Sequence, residues 1–273
     1  MEEMKYKFYS VAVHSSLGFK KIDPFYFTYQ NIDFKYIPSF IQNHSDTLIG
    51  QFNSDENSDK CYKIITQFLS ALALADNYKI LPEPGQYQIL NSSLREYKGG
   101  YSTSYRLISV EEKVNDLCEV VIIKNDDQVA LSSLYRQALA NHNVYSKFLF
   151  FWHSLVYPFE DDNRAVDYIN NTIHILFLDD QQKISQILNN PLFTTKKVNF
   201  GKYVKQSVRH AISHIIRYNN KKSLELDCLS EIQHINIINK ILKKLSKHRL
   251  ENCFDLNKKY LLNFKYDQND LSS

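Results

Sequence analysis

Glycine and proline are scarce in this chain, with six of each among 273 residues. Few glycines weigh against the glycine-rich loops of nucleotide-binding folds, and few of either exclude collagen-like repeats and proline-rich linkers. No apolar run is long enough to cross a bilayer. The longest, Phe148 to Phe159, spans 12 residues and carries His153, Ser154 and Pro158. The opening residues, Met1-Glu-Glu-Met-Lys-Tyr-Lys7, hold no apolar stretch of the kind a secretory signal needs. The four cysteines, Cys61, Cys118, Cys228 and Cys253, lie far apart and form no C-x-x-C pair. Small secreted scaffolds carry denser cysteines, so a reducing cytoplasm with inert thiols is expected.

What is abundant is apolar and charged material. Forty-four per cent of the residues are hydrophobic, enough for a packed core and against wholesale disorder. The length suits one large domain or two ordinary ones. The net charge of +3 hides an asymmetry. Residues 1–195 carry a net −6, residues 196–249 a net +10, and residues 250–273 a net −1. A basic block joined to an acidic body suits a polyanionic partner, nucleic acid above all; the plainer reading is a solvated helix surface that balances acidic patches elsewhere.

The first sixty residues are rich in β-formers, with strands expected over Lys5–His14, Phe25–Tyr29 and Ile32–Ile37. The polar loop Asn53–Asp59 can cap a helix, and the spacing of Ile64, Ile65, Phe68, Leu69, Leu72 and Ala75 predicts that helix over Cys61–Tyr78. Leu81-Pro-Glu-Pro-Gly85 should end it. Further strands are expected at Tyr87–Leu90, Tyr105–Val110 and Val120–Ile123, with Gly99-Gly100 as a turn. From Asp126 the texture becomes helical: Val129–Ala140, Val144–Tyr157, Arg164–Leu178, a short Ile184–Leu188, Phe200–Tyr218 and Glu231–Leu245. The segment 144–157 is apolar on two faces, as the centre of a bundle should be. The expected fold class is α+β: a mixed α/β module over residues 1–125, an all-α up-and-down bundle over 126–250, and a tail over 251–273.

Wound at about 100° per residue, the stretch from Phe200 places Phe200, Val204, Val208, Ala211, Ile212 and Ile215 on one stripe that should face the core. The opposite arc holds Lys202, Gln206, Arg209, His210, Ser213, His214 and Arg217. Arg209 and His214 stand about 140° apart and cannot touch on one helix, whereas a two-fold dimer could gather two of each in a single cleft.

Arg209-His-Ala-Ile-Ser-His214 resembles the R-x4-6-H motif of the HEPN superfamily of ribonucleases and nucleic-acid-associated bundles. Leu134-Tyr-Arg-Gln-Ala-Leu-Ala140 and Tyr145-Ser-Lys-Phe-Leu-Phe-Phe-Trp152 resemble its subgroup of methylamine-utilisation protein J-like, defence-associated proteins. The resemblance spans roughly residues 130–250 and leaves the N-terminal module unexplained. It implies a helical bundle, a homodimer, and metal-independent cleavage of RNA by its own 2′-OH to leave 2′,3′-cyclic phosphate ends. Arg209 and His214 would be the catalytic pair. His210 and Ser213 would position the substrate, and Lys202, Lys205 and Arg217 would hold flanking phosphates. A histidine can serve as acid or base near neutrality, and an arginine grips two phosphate oxygens at once. The family's frequent place in toxin and antiphage systems implies growth arrest by RNA cleavage, with a regulatory or antitoxin protein as a possible partner. The N-terminal module would sense a trigger or select substrate. No cofactor and no membrane partner are expected.

Rival readings keep the same residues. One is a non-catalytic RNA- or nucleotide-binding module; another is a protein-interaction module using a basic last helix with Lys240, Lys243, Lys244 and Lys247. A second R-x-H match, Arg136 to His142, is set aside because His142 lies near a helix end beside Asn141 and Asn143. A metal site drawn from His210, His214 and His234 lacks a carboxylate on its helix and is not expected. Glu160-Asp-Asp162 reads as an acidic helix start, Gly99–Ser104 as a turn without phosphate-loop spacing, and His153 as a core or interface histidine.

Overall fold

The computed structural model describes residues 6–19, 23–39, 45–90, 112–114, 117–158, 161–179, 181–189, 198–214 and 226–266. The expected elements at Tyr105–Val110 and Gly99–Ser104, Arg217, and the tail from Asp267 lie outside them. The fold is mixed α+β, with an N-terminal sheet followed by helices. Among the described residues, no helix is long and apolar enough to cross a membrane.

The chain divides into two compact units, residues 1–140 with 256–273, and residues 141–255. The first unit opens with β1 (Tyr6–Ser15), β2 (Leu17–Phe19), β3 (Phe25–Tyr29), β4 (Ile32–Ile37) and β5 (Asp46–Asn53). Then come α1 (Ser58–Asp76), β6 (Ile80–Leu90), β7 (Glu112–Val114), β8 (Leu117–Val121) and α2 (Asp126–Ala140). After the second unit the chain returns as β9 (Lys259–Asn263) and β10 (Lys265–Tyr266). Six strands form an antiparallel sheet in the order β10-β3-β4-β5-β1-β6.

One face of this sheet packs aromatic rings against α1. Phe68 of α1 meets Phe27, Phe34 and Tyr29, with ring centroids 4.9, 5.4 and 5.3 Å apart. Phe27 and Phe34 are also cross-strand partners, the pairing that stabilises an antiparallel ladder. The β3–β4 turn is the tight pair Gln30-Asn31, both at positive φ, a geometry that matches the twist of the strands it joins. Asn57 caps α1 as the polar loop suggested, accepting from the amide of Lys60 at 2.8 Å.

The expected boundaries shift for physical reasons. α2 belongs to the first unit, because it packs on α1 and buries Arg136 there. The Arg136 guanidinium donates to Ser70 Oγ at 3.0 Å and to the Ile80 carbonyl, and burial lowers its pKa to about 10. Residues 256–266 are no loose tail: β9 pairs with β8, and β10 completes the sheet edge beside β3. Pro82 and Pro84 sit inside a strand rather than ending a helix. They are tolerated because β6 is the far edge of the sheet, and because Glu83–Gln86 bulge opposite the single residue Ala12.

The second unit is helical throughout its described residues: α3 (Val144–Val156), α4 (Asp162–Leu176), α5 (Gln181–Asn189), a composite helix from Phe200 to His214, and α8 (Leu229–Cys253). The composite helix consists of α6 (Phe200–Tyr203), a π-helical segment (Val204–Arg209) and α7 (His210–His214). Asn143 and Asp161 cap α3 and α4, so Asp161-Asp162 is a helix start as expected; Glu160 lies outside the described residues. Phe148, Phe151 and Trp152 of α3 are at most 1% exposed. Truncating any one of them should cost about 3–5 kcal/mol. His153, read as a core or interface histidine, is exposed, so the core half of that reading fails.

α3 and α8 run parallel. Asn239 donates to the Val144 carbonyl at 2.9 Å, Ser246 to that of Phe151 at 3.4 Å and Arg249 to that of Ser154 at 2.7 Å, each pair 95 residues apart. A constant offset of this kind defines a parallel register. Arg249 is 2% exposed and lies over the rings of Tyr168 and Phe254. It thus places a cation at the carbonyl end of α3, where the helix dipole favours one.

Candidate functional site

The composite helix is fixed at its start by two asparagines. Asn199 accepts from the amide of Lys202 at 3.0 Å, and Asn170 of α4 reaches across to accept from Gly201 at 2.9 Å. Both satisfy amides that a helix start leaves without partners. Gly201 lets the two helices meet closely. A Cβ there would lie 2.7 Å from the Val166 carbonyl oxygen and 2.9 Å from Asn170 Oδ1. Gly201→Ala should therefore force the helices apart and cost about 1–3 kcal/mol, read as a lowered urea midpoint.

The buried residues of this helix repeat in pairs every four positions: Tyr203-Val204, Ser207-Val208 and Ala211-Ile212. An α-helix turns about 100° per residue, so a period of four drifts about 40° each repeat. The six-residue π segment is wider and absorbs that drift, which keeps all three pairs against the core. The polar pairs between them, Lys205-Gln206, Arg209-His210 and Ser213-His214, stay in line by the same means. This period of four was present in the sequence and is the signal that a uniform 3.6-residue winding overlooks.

Beneath the ribbon, Tyr203 and His234 form a buried pair. Tyr203 is fully buried, and its hydroxyl lies 2.6 Å from His234 Nε2 with the rings edge to face. Burial lowers the His234 pKa to about 4. His234 is thus committed to packing, and the trio of His210, His214 and His234 does not form a metal site. Among the described residues no group of three or more histidines, cysteines or carboxylates is placed to hold an ion.

The expected site residues fall as follows. Lys202, Ser213 and His214 are exposed, and Lys205, Arg209 and His210 are half-buried. Lys205 Nζ donates to Asn163 Oδ1 of α4 at 2.8 Å. Arg209 and His214 do not meet on the one helix. What the helix does bring together is His210 and His214, with ring centroids 4.6 Å apart and planes inclined by 47°. Residues 198–214 contain no Asp or Glu, so the ribbon is cationic along its length. Elsewhere the basic excess is partly structural: Arg249 is interior, Lys244 covers the Phe177 ring, and Lys247 lies 3.9 Å from Glu251.

Comparisons with family models, with curated proteins and with solved structures find no match to this chain. The chemistry of the ribbon must therefore be read from its own groups. Imidazoles are groups that can accept and donate protons, and a neighbouring guanidinium can hold a phosphate.

Proposed function

We propose that this chain is a metal-independent endoribonuclease of the HEPN type that acts in the cytoplasm, as a toxin or antiphage effector. The observation that carries the proposal is the contact between His210 and His214 beside Arg209, on a helix that carries no carboxylate of its own between residues 198 and 214. A face of this kind attracts a polyanion and offers proton-transfer groups.

In the proposed reaction a neutral imidazole, that of His214, takes the proton of a ribose 2′-OH. The 2′ oxygen attacks the adjacent phosphorus, and the bond from phosphorus to the 5′ oxygen breaks. A protonated imidazole gives that oxygen its proton, leaving a 2′,3′-cyclic phosphate and a 5′-OH. Arg209 stabilises the extra charge on the phosphorane. His210 and Ser213 position the strand, and Lys202, Lys205 and Arg217 hold flanking phosphates. A two-fold dimer would bring two such faces to one phosphodiester, supplying both a base and an acid. DNA binds the same face but carries no 2′-OH to attack with.

The test incubates purified protein with total RNA, transfer RNA and a matched DNA strand in EDTA. RNA fragments ending in 2′,3′-cyclic phosphate, with DNA intact, support the reading. Intact RNA held in a salt-sensitive complex overturns it in favour of a binding module.

A further inference from the structure

We propose that His210 and His214 form a two-imidazole chelate for a first-row divalent transition-metal ion, and that occupancy of this chelate silences the ribonuclease face. The binding stands on geometry alone; its inhibitory consequence rests on the function proposed above.

Residues four apart on a helix share one side of it, and here the two rings are in contact. Imidazole nitrogen binds such an ion at about 2.0–2.1 Å, which puts each ring centroid about 3.2 Å from the metal. Two rings at a right angle about the ion then stand about 4.5 Å apart, while a tetrahedral angle would separate them by about 5.2 Å. The two centroids here are 4.6 Å apart. The separation lies near the range that two imidazoles sharing one ion span, and Ni²⁺ and Cu²⁺ are the divalent ions that imidazole donors hold most readily. The ion's other positions would be filled by water, consistent with a site of two protein ligands.

The neighbours make the chelate a weak one. Arg209 and Lys205 share the ribbon, and residues 198–214 supply no carboxylate to offset them. Removing the Arg209 charge should therefore tighten the metal while slowing cleavage. An ion held by both imidazoles occupies the lone pairs that would accept a proton, and so also excludes the imidazolium form that would give one. Cleavage is then blocked by the metal rather than assisted by it, and chelators restore it.

Calorimetric titration with Ni²⁺ tests the chelate in wild type and in His210→Ala, His214→Ala, Arg209→Ala and His174→Ala, the last removing an exposed histidine of α4. Changes beyond a metal's direct ligands typically cost 10–100-fold in affinity, so loss of either ring should weaken Ni²⁺ by about 100-fold. Arg209→Ala should bind more tightly than wild type, and His174→Ala should match it. Equal affinity in wild type and both ring variants overturns the chelate. In parallel, RNA cleavage is followed with Ni²⁺ present and again after EDTA. Reversible loss of cleavage supports the inhibitory arm, and cleavage undiminished at saturating Ni²⁺ overturns it. If wild type cuts no RNA in EDTA, the nuclease reading and the inhibition fall together, and the titration still decides the chelate.

Discussion

His214→Ala is expected to abolish RNA cleavage in EDTA while leaving RNA retention nearly unchanged. A positioned acid or base contributes about 10²–10⁴-fold to rate, so the loss should be of that order in single-turnover assays. His214 is exposed and closes no core contact, so its removal should not lower the urea midpoint. Arg209→Ala should cost about 10²–10³-fold in the cleavage step, the usual effect of losing one charge-stabilising donor. Arg209→Lys should recover little, because an ammonium cannot hold two phosphate oxygens in a planar fork. Lys202→Ala should act differently, weakening binding for all RNA sequences and flattening the salt dependence. A His214→Ala variant that cuts as fast as wild type would remove the imidazole from the mechanism.

A second large effect is expected in the pH dependence of stability. The His234 pKa is lowered by burial from 6.5 to about 4, so the folded state resists protonation that the unfolded chain accepts. Above pH 6.5 both states are neutral at this residue and it adds no slope. Between pH 6.5 and about 4 the unfolded chain takes up the proton alone, so stability falls as the pH falls. Over the whole window the loss is about 3 kcal/mol. The chain's single tryptophan, Trp152, is buried in α3 of the same unit, and its fluorescence reports the transition. Urea midpoints in wild type should drop across this window. His234→Gln should start lower and lose most of the slope, and an unchanged slope would assign the acid sensitivity to other groups.

Local signals predicted local structure well. β3 and β4 end where the aromatic and β-branched residues end, and Asn57, Asn143 and Asp161 cap helices as polar residues before apolar runs should. The burial of Phe200, Val204, Val208, Ala211 and Ile212 likewise follows from periodicity. What escaped were features decided at a distance. β5 carries Gly50 in mid-strand, a poor strand former; it is accepted because the rings of Phe52 and Phe34 occupy the space a side chain would take. The prolines of β6 look like a helix stop until the strand is known to be an edge. Residues 259–266 look like a tail until their partners, more than a hundred residues earlier, are known. At the site, the cationic ribbon was legible, and the His210–His214 contact follows from spacing four apart. The Tyr203–His234 pair was not, since it joins two helices that no local pattern connects.

The return of β9 and β10 to the first unit bears on how the protein is born. A ribosome releases β3 and β8 long before their partners in residues 259–266 exist, because all of residues 141–255 must be translated in between. Through that interval β3 lacks the neighbour that covers one side of it, and exposed strand edges invite pairing between nascent chains. The helical unit can finish folding first. The sheet that precedes it in the gene is completed after it.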